Sequence, residues 1–261
     1  MPSHQGPNQD KEAVQQLFTA TALDYSKFFL SSRSGSNFSF RERLTLATQM
    51  TAGISGRLLE CACGTGEITA EILGSGRFTS ATVVDLSPRM LELAQQRIAV
   101  ELKKPGICNL EFKSSDIFEF AAQPHAEQYD LILCLGLIAH TGRLDDLLAG
   151  LKRLLSPQGS ILLQSSLLDH IGTKVVRALT HERYYRKHGY RISYFHHQDI
   201  LRVAQSTGLK AVEMRRFTFG FPFGDRIWAT MNYRLEQRMQ NWTKLHGSEA
   251  IYLLQINPRE H

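Results

Sequence analysis

Glu60 closes a short apolar run at Leu58 and Leu59 and is followed by small residues, Cys61-Ala62-Cys63-Gly64-Thr65-Gly66, before Glu67 opens a helical pattern. A loop of that composition lets a ligand touch backbone. Gly64 and Gly66 lack the β-carbons that would block close approach, and both tolerate positive φ. The first amides of the helix beginning near Glu67 point into the same space. Two ligand classes use a strand, loop and helix of this kind. Dinucleotide enzymes want G-x-G-x-x-G, with the third glycine allowing close packing of helix on strand. Here Glu67 stands three residues after Gly64, and its carboxylate would face any pyrophosphate, which argues against a nicotinamide cofactor. A second carboxylate, Asp85, ends the next apolar run, Ala81-Thr82-Val83-Val84, 19 residues after Gly66. An acid there can take both hydroxyls of a ribose.

Taken in order, these motifs resemble the class I S-adenosylmethionine-dependent methyltransferases. The acidic-x-Gly-x-Gly-x-Gly loop of that family is matched by Glu60, Ala62, Gly64 and Gly66, with Cys63 between them, and alanine stands where the first glycine is usual. The resemblance implies that this loop holds the methionyl part of the cofactor and that Asp85 binds the ribose. Asp85-Leu86-Ser87-Pro88-Arg89-Met90-Leu91 continues as in the family, with Ser87 suited to cap the next helix and Pro88 to its first position. Met90 and Leu86 would then lie beside the adenosine. Asp116 and Ile117, after Leu110-Glu111-Phe112-Lys113, match the third-strand acid near the adenine amino group. The fourth strand is Tyr129–Cys134, and the residues just beyond it, from Leu135 on, face the transferred methyl in this family. Phe18 to Tyr25 resembles the N-terminal helix that closes over the cofactor. Tyr25 reads either as a contact for the cofactor carboxylate or as an ordinary buried tyrosine.

The implied reaction needs little covalent chemistry from the protein. A sulfonium methyl is already a potent electrophile, so the site must hold a nucleophile in line at about 3 Å in a water-poor pocket. A hydroxyl nucleophile must also lose its proton. His140, just past the fourth strand, is the candidate general base, since imidazole near its reference pKa of about 6.5 suits that task at neutral pH. Its other readings are a substrate-orienting or helix-capping histidine. His196 and His197 point in different directions, so one is expected to be exposed, and His170 and His181 are weaker candidates. Asp145 and Asp146 come too late for a metal cluster beyond the fourth strand and read as the first turn of a helix. Cys61 and Cys63 lack the second ligand pair a zinc site needs. No metal is expected.

The expected fold is α/β: a Rossmann-like, seven-stranded, mostly parallel sheet of the class I methyltransferase type, with helical cap insertions. A chain of 261 residues with 43% hydrophobic content can bury one large core. Residues 1–12 read as a disordered lead and 13–261 as one domain, with substrate-cap insertions around 166–195 and 217–248. Leu144, Leu147, Leu148, Leu151 and Leu155 recur at helical spacing, which predicts a core-facing helix over 143–156 stopped by Ser156-Pro157-Gln158-Gly159. Strands are expected at 160–165, 210–214 and 250–256, the last antiparallel. Phe217, Phe219, Phe221 and Phe223, then Ile227, Trp228, Met231, Leu235, Met239, Trp242 and Leu245, form an aromatic helical segment. It reads as a helix on the core, a substrate lid or the face of a homodimer.

Charge is concentrated in one place. Lys174, Arg177, Arg183, Arg186, Lys187 and Arg191 stand against Glu182 alone, interleaved with Tyr184, Tyr185 and Tyr190. That segment is either a solvated helix face or a surface for an anionic acceptor, a carrier protein, a membrane or RNA. No RNA-binding module is recognisable, which ranks nucleic acid low. No apolar run of about 18 residues and no basic-then-apolar leader appear, so a soluble, cytoplasmic protein is expected. The four cysteines at 61, 63, 108 and 134 are expected to pack as small hydrophobes. The best reading is S-adenosylmethionine-dependent O-methylation of a small molecule in secondary metabolism. Alternatives are N-methylation, an RNA, carrier-bound or lipid acceptor, or a cofactor-binding protein without transfer activity.

Overall fold

The computed structural model describes residues 7–30, 33–102, 109–124 and 128–258. Two helices, α1 (Pro7–Leu30) and α2 (Gly35–Met50), precede the first strand. Strands and helices then alternate as β1 (Gly56–Cys61), α3 (Glu67–Gly74), β2 (Phe78–Asp85), α4 (Pro88–Glu101), β3 (Asn109–Ser114), α5 (Ile117–Ala122) and β4 (Tyr129–Cys134). After β4 come α6 (Ile138–Thr141), α7 (Leu144–Leu154), β5 (Leu155–Ser166), α8 (Ile171–His188), α9 (His197–Ser206), β6 (Leu209–Phe217), α10 (Gly224–His246) and β7 (Glu249–Ile256).

The strands form one sheet in the order β3-β2-β1-β4-β5-β7-β6, in which β7 alone runs antiparallel to its neighbours β5 and β6. The buried strands are continuous apolar runs because both faces are covered. On one face Leu59, Cys61, Ile132 and Cys134 meet Leu144, Leu147, Leu148 and Leu151 of α7. On the other, Leu58, Val83, Leu131 and Leu133 meet Ala70 and Leu73 of α3, Ile98 of α4, and Ala47 and Met50 of α2. The order reverses between β1 and β4, and that switch opens a crevice at the carboxyl ends of the strands. Because β7 is reversed, its first residue, Glu249, arrives at the same edge opposite Ser166.

Several local details differ from the expected ones. Helix α1 begins at Pro7, so residues 7–12 are helical and only 1–6 of the expected lead lie outside the described residues. Ser156 to Gly159 do not stop α7; they bulge from β5, since Tyr129 pairs with Leu155 but Leu131 pairs with Ser160. Cys61 and Cys134 are buried free thiols in register on β1 and β4, Cys63 is half-buried, and Cys108 lies outside the described residues. The aromatic segment becomes α10, which has a kink at Trp228 and packs on α2. Asp225 accepts from Gly35 N and Ser36 N there, and Phe38 meets Tyr233 edge-on.

Candidate active site

The loop after β1 is built to turn tightly while its amides stay occupied. Ala62 N and Cys63 N both donate to Val84 O, tying the loop to the neighbouring strand. Ala62, Gly64 and Gly66 all have positive φ (61°, 54° and 81°), so the alanine at the first glycine position adopts a left-handed conformation that costs about 1–2 kcal/mol. Gly66 is required sterically, since a β-carbon there would stand 2.8 Å from Ala94 Cα on α4. Glu67 is drawn aside by Thr65 Oγ1 at 2.7 Å and by Arg97 at 3.1 Å.

Glu60 is 3% exposed and accepts from Thr69 Oγ1 at 3.1 Å. Burial pushes its carboxyl up to about 8. It lies beneath the loop, outside the cavity lining. Asp85 reaches the cavity. Its Oδ2 accepts from Gly64 N at 2.9 Å and its Oδ1 from Ser87 N at 2.8 Å, which clamps the β1 and β2 loops together. Burial raises this carboxyl to about 6, against the pull of the Ser87 and Gly64 amides. Ser87 caps α4 through Met90 N, with Pro88 following at the first position. Asp116 likewise caps α5, accepting from Phe118 N at 2.7 Å.

These groups open on one cavity of about 1730 Å³. Single-ligand pockets hold about 300–1,000 Å³, so there is room for two molecules side by side. Tyr25, Ala62, Gly64, Asp85, Leu86, Met90, Asp116, Ile117, Leu135 and His140 line it. Cys63 and Gly66 join Glu60 outside the lining and shape the loop instead. Helix α1 roofs the β2 side, where Gln15 Nε2 donates to Leu86 O and Thr19 meets Ser87 Oγ. The outer end is formed by α8 and the segment after it, through Arg177, Tyr184, Tyr185 and Arg191. No described residue of 217–248 lines the cavity, so α10 is no lid over it.

His140 sits in α6 against the edge of Phe18, with Nδ1 3.0 Å from Tyr190 Oη. Tyr190 is 1% exposed and its hydroxyl lies 2.7 Å from that of Tyr184. Burial lowers the imidazole to about 4, well under the value near 6.5 that its residue type suggests, and raises the Tyr190 phenol. The other histidines lie differently. His196 pairs with Asp169 and His197 bonds Tyr252, both half-buried rather than one exposed, and His170 caps α8 by accepting from Gly172 N. Only His181 joins His140 in the lining among them.

A polar cluster not anticipated from the sequence covers the β5 and β7 end of the cavity. Glu249 accepts from Ser166 Oγ at 2.7 Å and from Gln164 Nε2 at 2.6 Å. Burial raises its carboxyl, opposed by Ser166, Arg43 and Gln164 in that order. Arg43 Nε and Gln164 Oε1 are buried without hydrogen-bond partners among the described residues. Local sequence signals no such cluster, because α2, β5 and β7 are brought together by the reversed last strand.

Known proteins agree with this architecture. Residues 59–161 match the family model described as a methyltransferase domain. Over 109 residues, 41% of the chain, it is 30% identical to the malonyl-[acyl-carrier protein] O-methyltransferase of Paenibacillus sp. (strain JDR-2), of whose length it spans 37%. The magnesium protoporphyrin IX methyltransferase of Synechocystis PCC 6803, solved with bound SAH, superposes with a TM-score of 0.64 at 14% identity, covering 95% of this chain and 99% of that one. The 1,6-didemethyltoxoflavin-N1-methyltransferase of Burkholderia thailandensis gives a TM-score of 0.62 at 14% identity, covering 98% and 93%. The sheet is Rossmann-like, with the strand order of the solved methyltransferases it superposes on. Residues 59–161 are thus similar to a methyltransferase domain, and the chain shares the fold of methyltransferases solved with SAH.

Proposed function

We propose that the protein methylates an oxygen nucleophile of a small molecule with S-adenosylmethionine. The observation that carries this reading is the Asp85 carboxylate, fixed between Gly64 N and Ser87 N at the wall of a cavity that also contains His140. The residues fit the cofactor. Gly64 leaves the loop open, with nothing nearer than Tyr25 at 3.7 Å from where its β-carbon would stand. Asp85 would take the ribose hydroxyls, and Met90, Ile117 and Asp116, which line the same cavity, would hold the adenine. Arg43, which interacts electrostatically with Tyr25, offers the positive charge for the methionyl carboxylate. When bound, the cofactor supplies a sulfonium methyl group as electrophile.

The chain's own part is to orient the acceptor and take its proton. At neutral pH His140 is uncharged, because its conjugate acid titrates near 4. If Nδ1–H donates to Tyr190 Oη and Tyr190 donates on to Tyr184, Nε2 is left as a hydrogen-bond acceptor. Such a weak base suffices when the acceptor hydroxyl becomes strongly acidic as its oxygen acquires the methyl group. Arg177 and Arg191 at the outer end favour an acceptor with an anionic group. A role in secondary metabolism suits a cavity built from this chain's own cap.

The test is SAH formation from S-adenosylmethionine against a panel of phenols and hydroxy acids, in wild type, His140→Gln and Tyr190→Phe. The account predicts a loss of about 10²-fold or more in kcat for His140→Gln and a smaller loss for Tyr190→Phe. Unchanged turnover in both variants would remove His140 from the chemistry.

A further inference from the structure

The β5 end of the cavity contains an amide whose orientation is dictated from behind. Gln164 donates Nε2 to Glu249 Oε2 at 2.6 Å, while Ser166 Oγ holds the other carboxylate oxygen at 2.7 Å. An ionised carboxylate only accepts hydrogen bonds. Gln164 accordingly turns its NH2 toward Glu249 and its Oε1 away. That oxygen is buried, has no partner among the described residues, and belongs to a side chain that is 5% exposed and lines the cavity. It borders the space that a β-carbon on Gly136 would enter, 3.8 Å from that position, with Arg43 Nη1 3.5 Å from it. Gly136 has φ +85°, which permits the turn after β4, and any side chain there would be set against the Gln164 amide oxygen. A buried acceptor without a partner is costly, about 1–3 kcal/mol, and a ligand that donates to it recovers that cost.

Building on the methyl-transfer reading, we infer that Gln164 selects the acceptor: its Oε1 takes a hydrogen bond from an O–H or N–H of the molecule to be methylated. Glu249 is the positioning residue that fixes this preference. The strand order supports an acceptor-side assignment. The loop after β1, Asp85 and Asp116 stand at the ends of β1, β2 and β3, whereas Gln164 and Glu249 stand across the switch point on β5 and β7. The substitution Glu249→Gln frees the amide. The carboxamide it introduces can donate to Gln164 Oε1, turning Gln164 Nε2 into the cavity and converting a site for donors into a site for hydrogen-bond acceptors.

Matched probes test this in the full chain saturated with SAH. Phenol and aniline carry a donor; anisole and acetophenone only accept. Ligand-observed NMR titration of wild type should rank the donors ahead by about fivefold or more, the equivalent of one buried hydrogen bond. Gln164→Leu should erase the ranking and Glu249→Gln should reverse it, with Gln164→Met as the substitute if the leucine variant does not fold. A merely structural role would weaken all four probes alike. The same ranking in wild type and variants would overturn the inference. SAH affinity, measured by calorimetry on each sample, separates the two claims. Failure of folded wild type to bind SAH counts against the methyl-transfer reading, while SAH binding with an unaltered probe ranking counts against the role of Gln164 alone.

Discussion

At the scale of single residues, the site turns on carboxyls and an imidazole whose titration is displaced by burial. In the proposed cofactor site Asp85 would accept the ribose hydroxyls as a carboxylate, and its carboxyl titrates near 6. Cofactor affinity should therefore be flat above pH 7 and fall below pH 6, by up to about tenfold per unit. Calorimetry with SAH between pH 5 and 8 reads this directly, and a flat profile would contradict it. Glu60 gives the opposite kind of signal, in stability. Its folded-state value near 8 lies above the ordinary 4.5, so the folded state holds a proton that the unfolded state has lost. Its contribution is fully present below pH 4.5 and disappears as pH rises toward 8. Glu60→Gln should remove that part of the decline, seen as a smaller fall in Tm from pH 5 to 8 than in wild type. Glu60 and Asp85 stand out in the sequence at the ends of apolar runs, whereas Asp116 and His140 were reached through the family resemblance and the place of the fourth strand; of the four, Asp85, Asp116 and His140 line the cavity. Their electrostatics were not legible, because the low pKa of His140 comes from the packing of distant residues such as Phe18 and Tyr190. Gln164 and Glu249 gave no local signal at all.

At the scale of elements, the loop between β1 and α3 is the most constrained piece of backbone. Gly66→Ala places a β-carbon 2.8 Å from Ala94 Cα at a φ of 81° and should cost about 2–3 kcal/mol in chemical denaturation. Stability equal to wild type would show that α3 and α4 can part at that point. The glycine spacing announced this loop, although the left-handed conformation of Ala62 was hidden behind a residue type that rarely adopts it. Helix α1 is tied to the end of β2 through Gln15 and Thr19, and to α6 beyond β4 through the contact of Phe18 with His140. If it roofs a bound cofactor, amide hydrogen exchange over residues 14–25 should slow when SAH is added. Unaltered exchange there would mean that the cofactor does not depend on α1. Periodicity located α7 correctly but misjudged its end, since a Ser-Pro-Gln-Gly sequence that usually stops a helix is here carried as a strand bulge.

At the scale of the whole molecule, the sheet order puts two chemistries at one edge. Strands β1 to β3 present the Asp85 and Asp116 side, β5 and β7 present the Gln164 and Glu249 side, and β4 delivers Leu135 and His140 between them. Four motifs in sequence were enough to anticipate this sheet and its reversed last strand. The roles of the two late segments were beyond such reading, because amphipathic helices look alike whether they face a cavity or a neighbouring helix. The basic α8 reaches the cavity while the aromatic α10 packs on α2. No helix among the described residues is long and apolar enough to cross a membrane. The central claim is that this edge binds S-adenosylmethionine through Asp85. Calorimetric titration of wild type and Asp85→Ala with S-adenosylmethionine and SAH, with NAD as control, tests it most directly. The account predicts micromolar binding of both sulfur ligands by wild type, a loss of at least about tenfold in the variant, and no binding of NAD. Folded wild-type protein that binds neither sulfur ligand, or an Asp85→Ala variant that binds both as tightly, would contradict it.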